Sequence, residues 1–129
     1  MKLMLDTHVL LWWLRDRPRL GPRARNRIAD RENQVLVSVA SFWEIAIKFR
    51  SGKLPLRGSV VWRDAVDEGF ETVGISPVHI AALESLPKVG DHRDPFDHLL
   101  LAQAAGEGAT LMTADRVLSG YGVRCIGVG

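Results

Sequence analysis

Short apolar runs, each followed by a stretch of helical character, recur along the 129-residue chain and constrain its fold more than any other feature. Continuous apolar runs of this length are typical of strands buried on both faces of a parallel sheet. Their alternation with helices is typical of βαβ units. We therefore predict a three-layer α/β/α sandwich with a mostly parallel central sheet, forming one domain over residues 1–129. The predicted strands cover residues 3–5, 35–37, 72–75, 109–112 and 123–128.

Proline, serine and glycine mark the expected ends of the helices between these strands. Pro22 begins one helix, Ser38 or Ser41 caps another that ends near Gly52, and Ser76 caps a third. The predicted helices cover residues 8–14, 22–31, 59–68, 77–86 and 96–106, together with the helix after residue 38 and a short helical turn at 115–118. No repeat, low-complexity tract or linker divides the chain.

Four acidic residues follow these strands at positions where a parallel sheet brings its carboxyl ends together. They are Asp6, Glu44, Asp97 and Asp115. Ligands of open α/β sheets bind at this edge, near a switch in strand order. Four carboxylates in one partly desolvated cleft repel each other unless a cation neutralises them. Oxygen ligands alone favour Mg²⁺ or Mn²⁺.

Two of these acids also have a purely structural interpretation. Asp6 has the position of an N-cap for the first helix, a role that Thr7 could share, and capping is compatible with catalysis. Glu44 lies in an apolar helix, where burial is costly without a partner or a metal. An ion pair with Lys48, four residues later, is the alternative.

The other two acids each stand beside a second candidate. Asp94 precedes Pro95 and is expected to cap the helix, which leaves Asp97 in the first turn as the site residue, although either could point inward. Thr113 and Asp115 offer a hydroxyl and a carboxylate on one tight turn. Either could instead cap the helical turn that follows.

Several other functional classes lack their usual sequence signals. The four histidines show no zinc-ligand spacing, and no glycine-rich phosphate loop is present. Cys125 is the only cysteine, which excludes an internal disulfide and favours a reducing, cytoplasmic location. No apolar run is long enough to span a bilayer, and Asp6 interrupts the apolar start that a signal peptide requires. We expect no membrane association.

Charge is distributed unevenly along the chain. Residues 1–63 carry 13 Lys/Arg and 5 Asp/Glu, a net charge of +8, whereas residues 64–129 carry 4 and 10, a net charge of −6. Clustered arginines at 15–31 could hold a polyanion, form a solvated helix face or dock an acidic protein. His8 and the four tryptophans are expected to serve mainly in helix starts and helix packing.

Four segments in order resemble the PIN-domain ribonucleases, and in particular the VapC-type toxins of bacterial toxin–antitoxin pairs. They are MKLMLDTHVLLWWL, SVASFWEIAIK, HRDPFDHLLLAQA and LMTADRVLSGYGV. The resemblance covers essentially the whole chain. It implies an endoribonuclease that uses Mg²⁺ or Mn²⁺, forms a homodimer and is inhibited by a cognate antitoxin inserted into the active-site groove.

The resemblance also implies roles for individual residues. It places Asp6, Glu44, Asp97 and Asp115 in the acidic site, with Thr113 beside the fourth acid. In DPFD it favours Asp97 over Asp94. We hypothesise phosphodiester hydrolysis that leaves a 5′-phosphate and a 3′-hydroxyl. The alternatives are a metal-independent nucleic-acid-binding module and a phosphatase or receiver-like domain, the latter disfavoured because no lysine stands at a strand end.

Overall fold

The computed structural model describes residues 1–129 and shows a five-stranded sheet between two layers of helices. All strands are parallel, in the order β3-β2-β1-β4-β5. The strands are β1 (Lys2–Leu5), β2 (Gln34–Ser38), β3 (Glu71–Val73), β4 (Thr110–Met112) and β5 (Cys125–Ile126). The helices are α1 (Thr7–Leu14), α2 (Pro22–Ala29), α3 (Val39–Arg50), α4 (Gly58–Asp67), α5 (Pro77–Glu84) and α6 (Pro95–Glu107), followed by a 3₁₀ helix (Arg116–Tyr121). The predicted fold class is confirmed.

The central strand β1 divides the hydrophobic core into two parts, because alternate strand residues face opposite sides of a sheet. Leu3 and Leu5 pack with residues of α1, α2, α3 and α4. Met4 packs on the other side with residues of α6 and the 3₁₀ helix. All three β1 side chains are completely buried. Burial on both faces explains why the strand is an uninterrupted apolar run.

Three strands are shorter than the sequence predicts, and β4 begins one residue late, at Thr110. Strand β3 ends at Val73, which pairs with Ser38, the last residue of β2, and the next carbonyl oxygen, of Gly74, accepts from the side-chain amide of Gln103 (3.2 Å). Strand β5 contains only Cys125 and Ile126, which pair with the last two residues of the three-residue β4. A short edge strand limits the exposed backbone that could pair with another chain.

The helix caps follow the predicted chemistry. Of the two serines proposed for α3, the structure uses Ser38, whose hydroxyl accepts from the N–H of Ala40 (3.0 Å). Ser76 caps α5, and its N–H donates to Nδ1 of the buried His79 (3.0 Å). The other ring nitrogen of His79 therefore carries the proton and donates to Glu107 (2.9 Å). This bond joins α5 to α6.

Gly58 allows α3 and α4 to approach closely. A Cβ atom at this position would lie 2.3 Å from the carbonyl oxygen of Phe42, which is backbone and cannot rotate away. Any residue other than glycine would force the two helices apart.

The strand order changes direction between β1 and β4. From β1 the chain proceeds to β2 and β3 on one side, and then crosses to β4 and β5 on the other. The N–H of Asp6 donates to the carbonyl oxygen of Met112 (3.1 Å), which holds the ends of β1 and β4 together. The edge beyond these strands is where ligands of such sheets bind. None of the helices combines the length and apolar character needed to cross a bilayer.

Candidate active site

Asp6 lies at the carboxyl end of β1, at the switch in strand order. Its carboxylate accepts from the N–H of Val9 (2.8 Å) and caps α1, as the structural interpretation expected. The residue is only 7% exposed. Burial raises the pKa of Asp6, against the opposing effects of the Thr113 hydroxyl and the Val9 N–H, and the charge of Glu44 raises it further. The hydrogen bond from Val9 therefore does not fully compensate the Asp6 carboxylate for its loss of contact with water.

Thr113 and Asp115 form a tight turn immediately after β4. The hydroxyl oxygen of the buried Thr113 accepts from the N–H of Asp115 (3.0 Å). The Asp115 carboxylate accepts from the N–H of Val117 (3.0 Å) and caps the 3₁₀ helix. Of the two candidates for this cap, the structure uses Asp115, and Thr113 stabilises the turn that precedes it. The exposed Asp115 side chain keeps a second oxygen for other partners.

Asp94 is the N-cap of α6, as the sequence favoured. The Asp94 carboxylate caps α6 by accepting from the N–H groups of Phe96 (2.9 Å) and Asp97 (3.3 Å). Asp97 is half-buried and its carboxylate contacts Nε2 of His92 (3.1 Å). Burial and the charge of Asp94 raise the pKa of Asp97, His92 lowers it, and Asp6 raises it.

Glu44 lies in the second turn of α3, and its side chain is 13% exposed. Its carboxylate accepts from Nζ of Lys48 (3.1 Å), the predicted ion pair four residues along the helix. The charge of Glu44 also makes a small contribution to the raised pKa of Asp6. The structure therefore contains the alternative interaction, the ion pair with Lys48, and does not bring Glu44 into the group of Asp97 and Asp115.

Two of the four predicted acids come together in the structure. Ligand atoms of Asp97 and Asp115 lie with one of His92 within 4.8 Å of one another. Asp6 and Glu44 are not members of this group, although the charge of Asp6 raises the pKa of Asp97 and the charge of Glu44 raises that of Asp6.

His92 is the residue that sequence reasoning missed. The predicted site contained only oxygen donors, because no two histidines have the spacing of a zinc site. His92 reaches Asp97 from the preceding loop, and its Nδ1 contacts the hydroxyl of Tyr121 (2.7 Å). The only sequence signal is its place in HRDPFD, five residues before Asp97.

The donor set fits a hard divalent cation. Carboxylate oxygens predominate, and two of the carboxyls have raised pKa values because of burial and neighbouring negative charge. A cation at this position would relieve that cost directly. The single nearby nitrogen, from His92, already has hydrogen-bond partners on both sides.

The basic segment and the tryptophans have mixed roles. Arg25 is committed to structure, since its guanidinium contacts Asp16 and the carbonyl oxygens of Leu20 and Arg17. Trp12 stacks on His8, with the Arg19 guanidinium 4.8 Å from its ring centre. Trp43 is 56% and Trp62 is 46% exposed, although the Trp43 ring also packs edge-to-face against that of Phe96 in α6, with ring centres 5.1 Å apart.

Comparison with known proteins gives one family. A model of the PIN domain matches residues 3–123. Ribonuclease VapC22 of Mycobacterium tuberculosis is 32% identical over 120 residues, which cover 92% of this chain and 91% of that protein.

Solved structures agree with this match at the level of the fold. VapBC2 from Rickettsia felis, bound to a DNA fragment from its promoter, has a TM-score of 0.75 at 15% identity and covers 100% of each chain. DNA-bound VapBC from Salmonella typhimurium has a TM-score of 0.73 at 16% identity, covering 100% of this chain and 99% of that one.

Proposed function

The chain belongs to the PIN-domain family, and on this basis we propose that it is a Mg²⁺- or Mn²⁺-dependent endoribonuclease acting in the cytoplasm. The observation that carries the proposal is the approach of Asp97, Asp115 and His92 to within 4.8 Å at the carboxyl edge of the sheet, where the buried Asp6 follows β1. A relative named a ribonuclease, similar over nine-tenths of the chain, supports RNA as the substrate.

Asp6, Glu44 and Asp97 would hold the ion directly or through its waters, with Asp115 completing the site. When bound, the ion lowers the pKa of a water molecule and stabilises negative charge on the phosphoryl oxygens. Lys48 neutralises part of the charge of Glu44 in the absence of the ion.

The protein's own hydrogen bonds orient the acids for this role. The Val9 N–H fixes Asp6, and His92 fixes Asp97. Asp115 orients the attacking water for in-line attack on the phosphorus, which leaves a 5′-phosphate and a 3′-hydroxyl. Thr113 and Asp94 act as accessory residues, since they position Asp115 and Asp97 through backbone hydrogen bonds.

We further propose that the chain is the toxin of a toxin–antitoxin pair, a homodimer neutralised by a cognate antitoxin. The VapC22 similarity and the VapBC structural neighbours support the antitoxin. A surface groove with exposed Trp43 and Trp62 supports self-association, because large apolar patches on a protein surface mark interfaces.

The test is cleavage of single-stranded RNA by the wild type, Asp6→Asn and Asp97→Asn, with Mg²⁺, Mn²⁺ or EDTA. Loss of a metal ligand should lower kcat/KM by more than about 100-fold, since even residues that only orient a ligand typically contribute 10- to 100-fold. Asp64→Asn is the matched control, because it removes an exposed acid of α4 and should leave activity unchanged.

Equal activity of the wild type and Asp6→Asn would overturn the assignment. RNA binding that falls with salt, is insensitive to EDTA and is never followed by cleavage would favour the non-catalytic binding module instead.

A further inference from the structure

A cavity of about 520 Å³ opens beside the candidate active site, on the side of α5 and α6. The C-terminal end of α5, the following loop and the start of α6 form its walls. Its volume lies in the range of about 300–1,000 Å³ that is typical of small-ligand sites. The proposed hydrolysis uses none of this space.

Three aromatic rings form one rigid wall of this cavity. The hydroxyl of Tyr121 contacts Nδ1 of His92 (2.7 Å) and Nε2 of His98 (3.0 Å). The ring centres are 5.0–5.6 Å apart in tilted or edge-to-face pairs. Each ring is thus held by the other two, which makes the wall a fixed surface rather than a set of mobile side chains.

The wall is directly connected to the candidate site. His92 contacts Tyr121 through one ring nitrogen and Asp97 through the other. A molecule lying against the wall is therefore one side chain away from a proposed catalytic carboxylate.

Two cations, Lys88 and Arg93, and one acid, Glu84, line the cavity, although this part of the chain is acidic overall. Residues 64–129 contain only four lysines and arginines, and two of them, Lys88 and Arg93, line the cavity. Both are exposed and neither forms an ion pair or a side-chain hydrogen bond within the protein. Leu83 and Leu86 add apolar surface to the lining of the cavity.

We propose that this cavity binds one nucleotide of a single-stranded RNA substrate, next to the phosphodiester that is cleaved. The base packs against the aromatic and leucine walls, and a flanking phosphate contacts Lys88 and Arg93. Single-stranded RNA is bound in this way elsewhere, by aromatic surfaces for the bases and cations for the backbone. The inference rests on the proposed function, since it assigns the cavity to the same substrate.

Binding of a six-nucleotide single-stranded RNA of mixed sequence, measured by fluorescence anisotropy in EDTA, tests the inference without cleavage. The double variant Lys88→Glu/Arg93→Glu should bind at least about tenfold more weakly in 50 mM salt. The slope of the logarithm of the binding constant against the logarithm of the salt concentration should become less steep by about 0.7, the value for one phosphate contact on a single strand. The matched control Lys53→Glu/Arg63→Glu makes the same charge change at exposed positions outside the cavity, and should bind within twofold of the wild type.

A second measurement separates the base from the phosphate. Backbone amide shifts of residues 88–93 are recorded with uridine 5′-monophosphate, adenosine 5′-monophosphate and inorganic phosphate. The nucleotides should shift these amides at lower concentrations than phosphate does. Identical titrations with all three would show that no base is bound and would overturn the inference.

Equal weakening of RNA binding in both double variants would also overturn it, since the effect would then reflect net charge alone. Normal RNA binding together with a weakened antitoxin complex would assign the cavity to the protein partner and refute the inference. If RNA binding depends on Lys88 and Arg93 but no RNA is cleaved with Mg²⁺ or Mn²⁺, the cavity assignment holds and the proposed catalytic function fails.

Discussion

Replacing Asp6 with asparagine removes a negative charge from the candidate site while keeping the shape of the side chain. The asparagine oxygen can still accept from the Val9 N–H, and asparagine caps helices about as well as aspartate. Burial raises the pKa of Asp6 in the folded protein. The folded state therefore binds this proton more readily than the unfolded chain, and the associated stability is lost as the pH rises through the folded pKa.

At pH 7.5 in EDTA, Asp6→Asn should therefore have a higher Tm than the wild type. Each unit by which a folded pKa is raised corresponds to about 1.4 kcal/mol. Unfolding entropy of about 2.1 cal/mol/K per residue amounts to about 0.27 kcal/mol/K for this chain, so each unit shifts Tm by about 5 °C. Below about pH 3 both side chains are uncharged and the difference should disappear.

Adding Mg²⁺ should reverse the order. At a concentration 100 times its Kd, an ion that binds only the folded state adds about 2.7 kcal/mol, or about 10 °C in Tm for the wild type. Asp6→Asn should lose most of this gain because it lacks one ligand.

Thermal unfolding followed by circular dichroism, from pH 3 to 8 with and without Mg²⁺, measures both effects. The exposed Asp64→Asn should match the wild type throughout. A lower Tm for Asp6→Asn at pH 7.5 in EDTA, or an equal Mg²⁺ effect on both proteins, would refute the reasoning.

Two further predictions concern the supports of the site. Glu107→Ala leaves the buried Nε2–H of His79 without a partner and should lower the free energy of unfolding by about 1–3 kcal/mol. Glu107→Gln keeps an acceptor and should lower it less. Urea denaturation of the two variants measures the difference. Gly58→Ala places a Cβ against the Phe42 carbonyl oxygen and should destabilise the protein by about 1–3 kcal/mol in the same assay, and an unchanged midpoint would show that α3 and α4 move apart freely.

The sequence predicts the sheet edge well because the rule behind it is simple. In a parallel sheet the carboxyl ends of the strands share one edge, which is why Asp6 at the end of β1 is hydrogen-bonded to Met112 at the end of β4. Pro95 set the start of α6, which separated the cap, Asp94, from the inward residue, Asp97. These are local signals.

Other features depend on contacts between distant segments. His92 contacts Asp97 and Tyr121 from a loop, and no spacing rule describes such a loop. The order of strands was also inaccessible, since a helix can return the chain to either side of β1. The exposure of Trp43 follows from how α3 lies on the sheet, which its almost wholly apolar sequence does not specify.

Gln103 is completely buried, and its amide joins three parts of the fold. It accepts from the hydroxyl of Ser38, the residue from which α3 begins, and donates to the carbonyl oxygen of Gly74. A buried hydrogen bond thus joins α6, which carries Asp97, to the N-cap residue of α3, which carries Glu44. The separation of these two acids therefore depends on a buried hydrogen bond as well as on the surface connections between the helices.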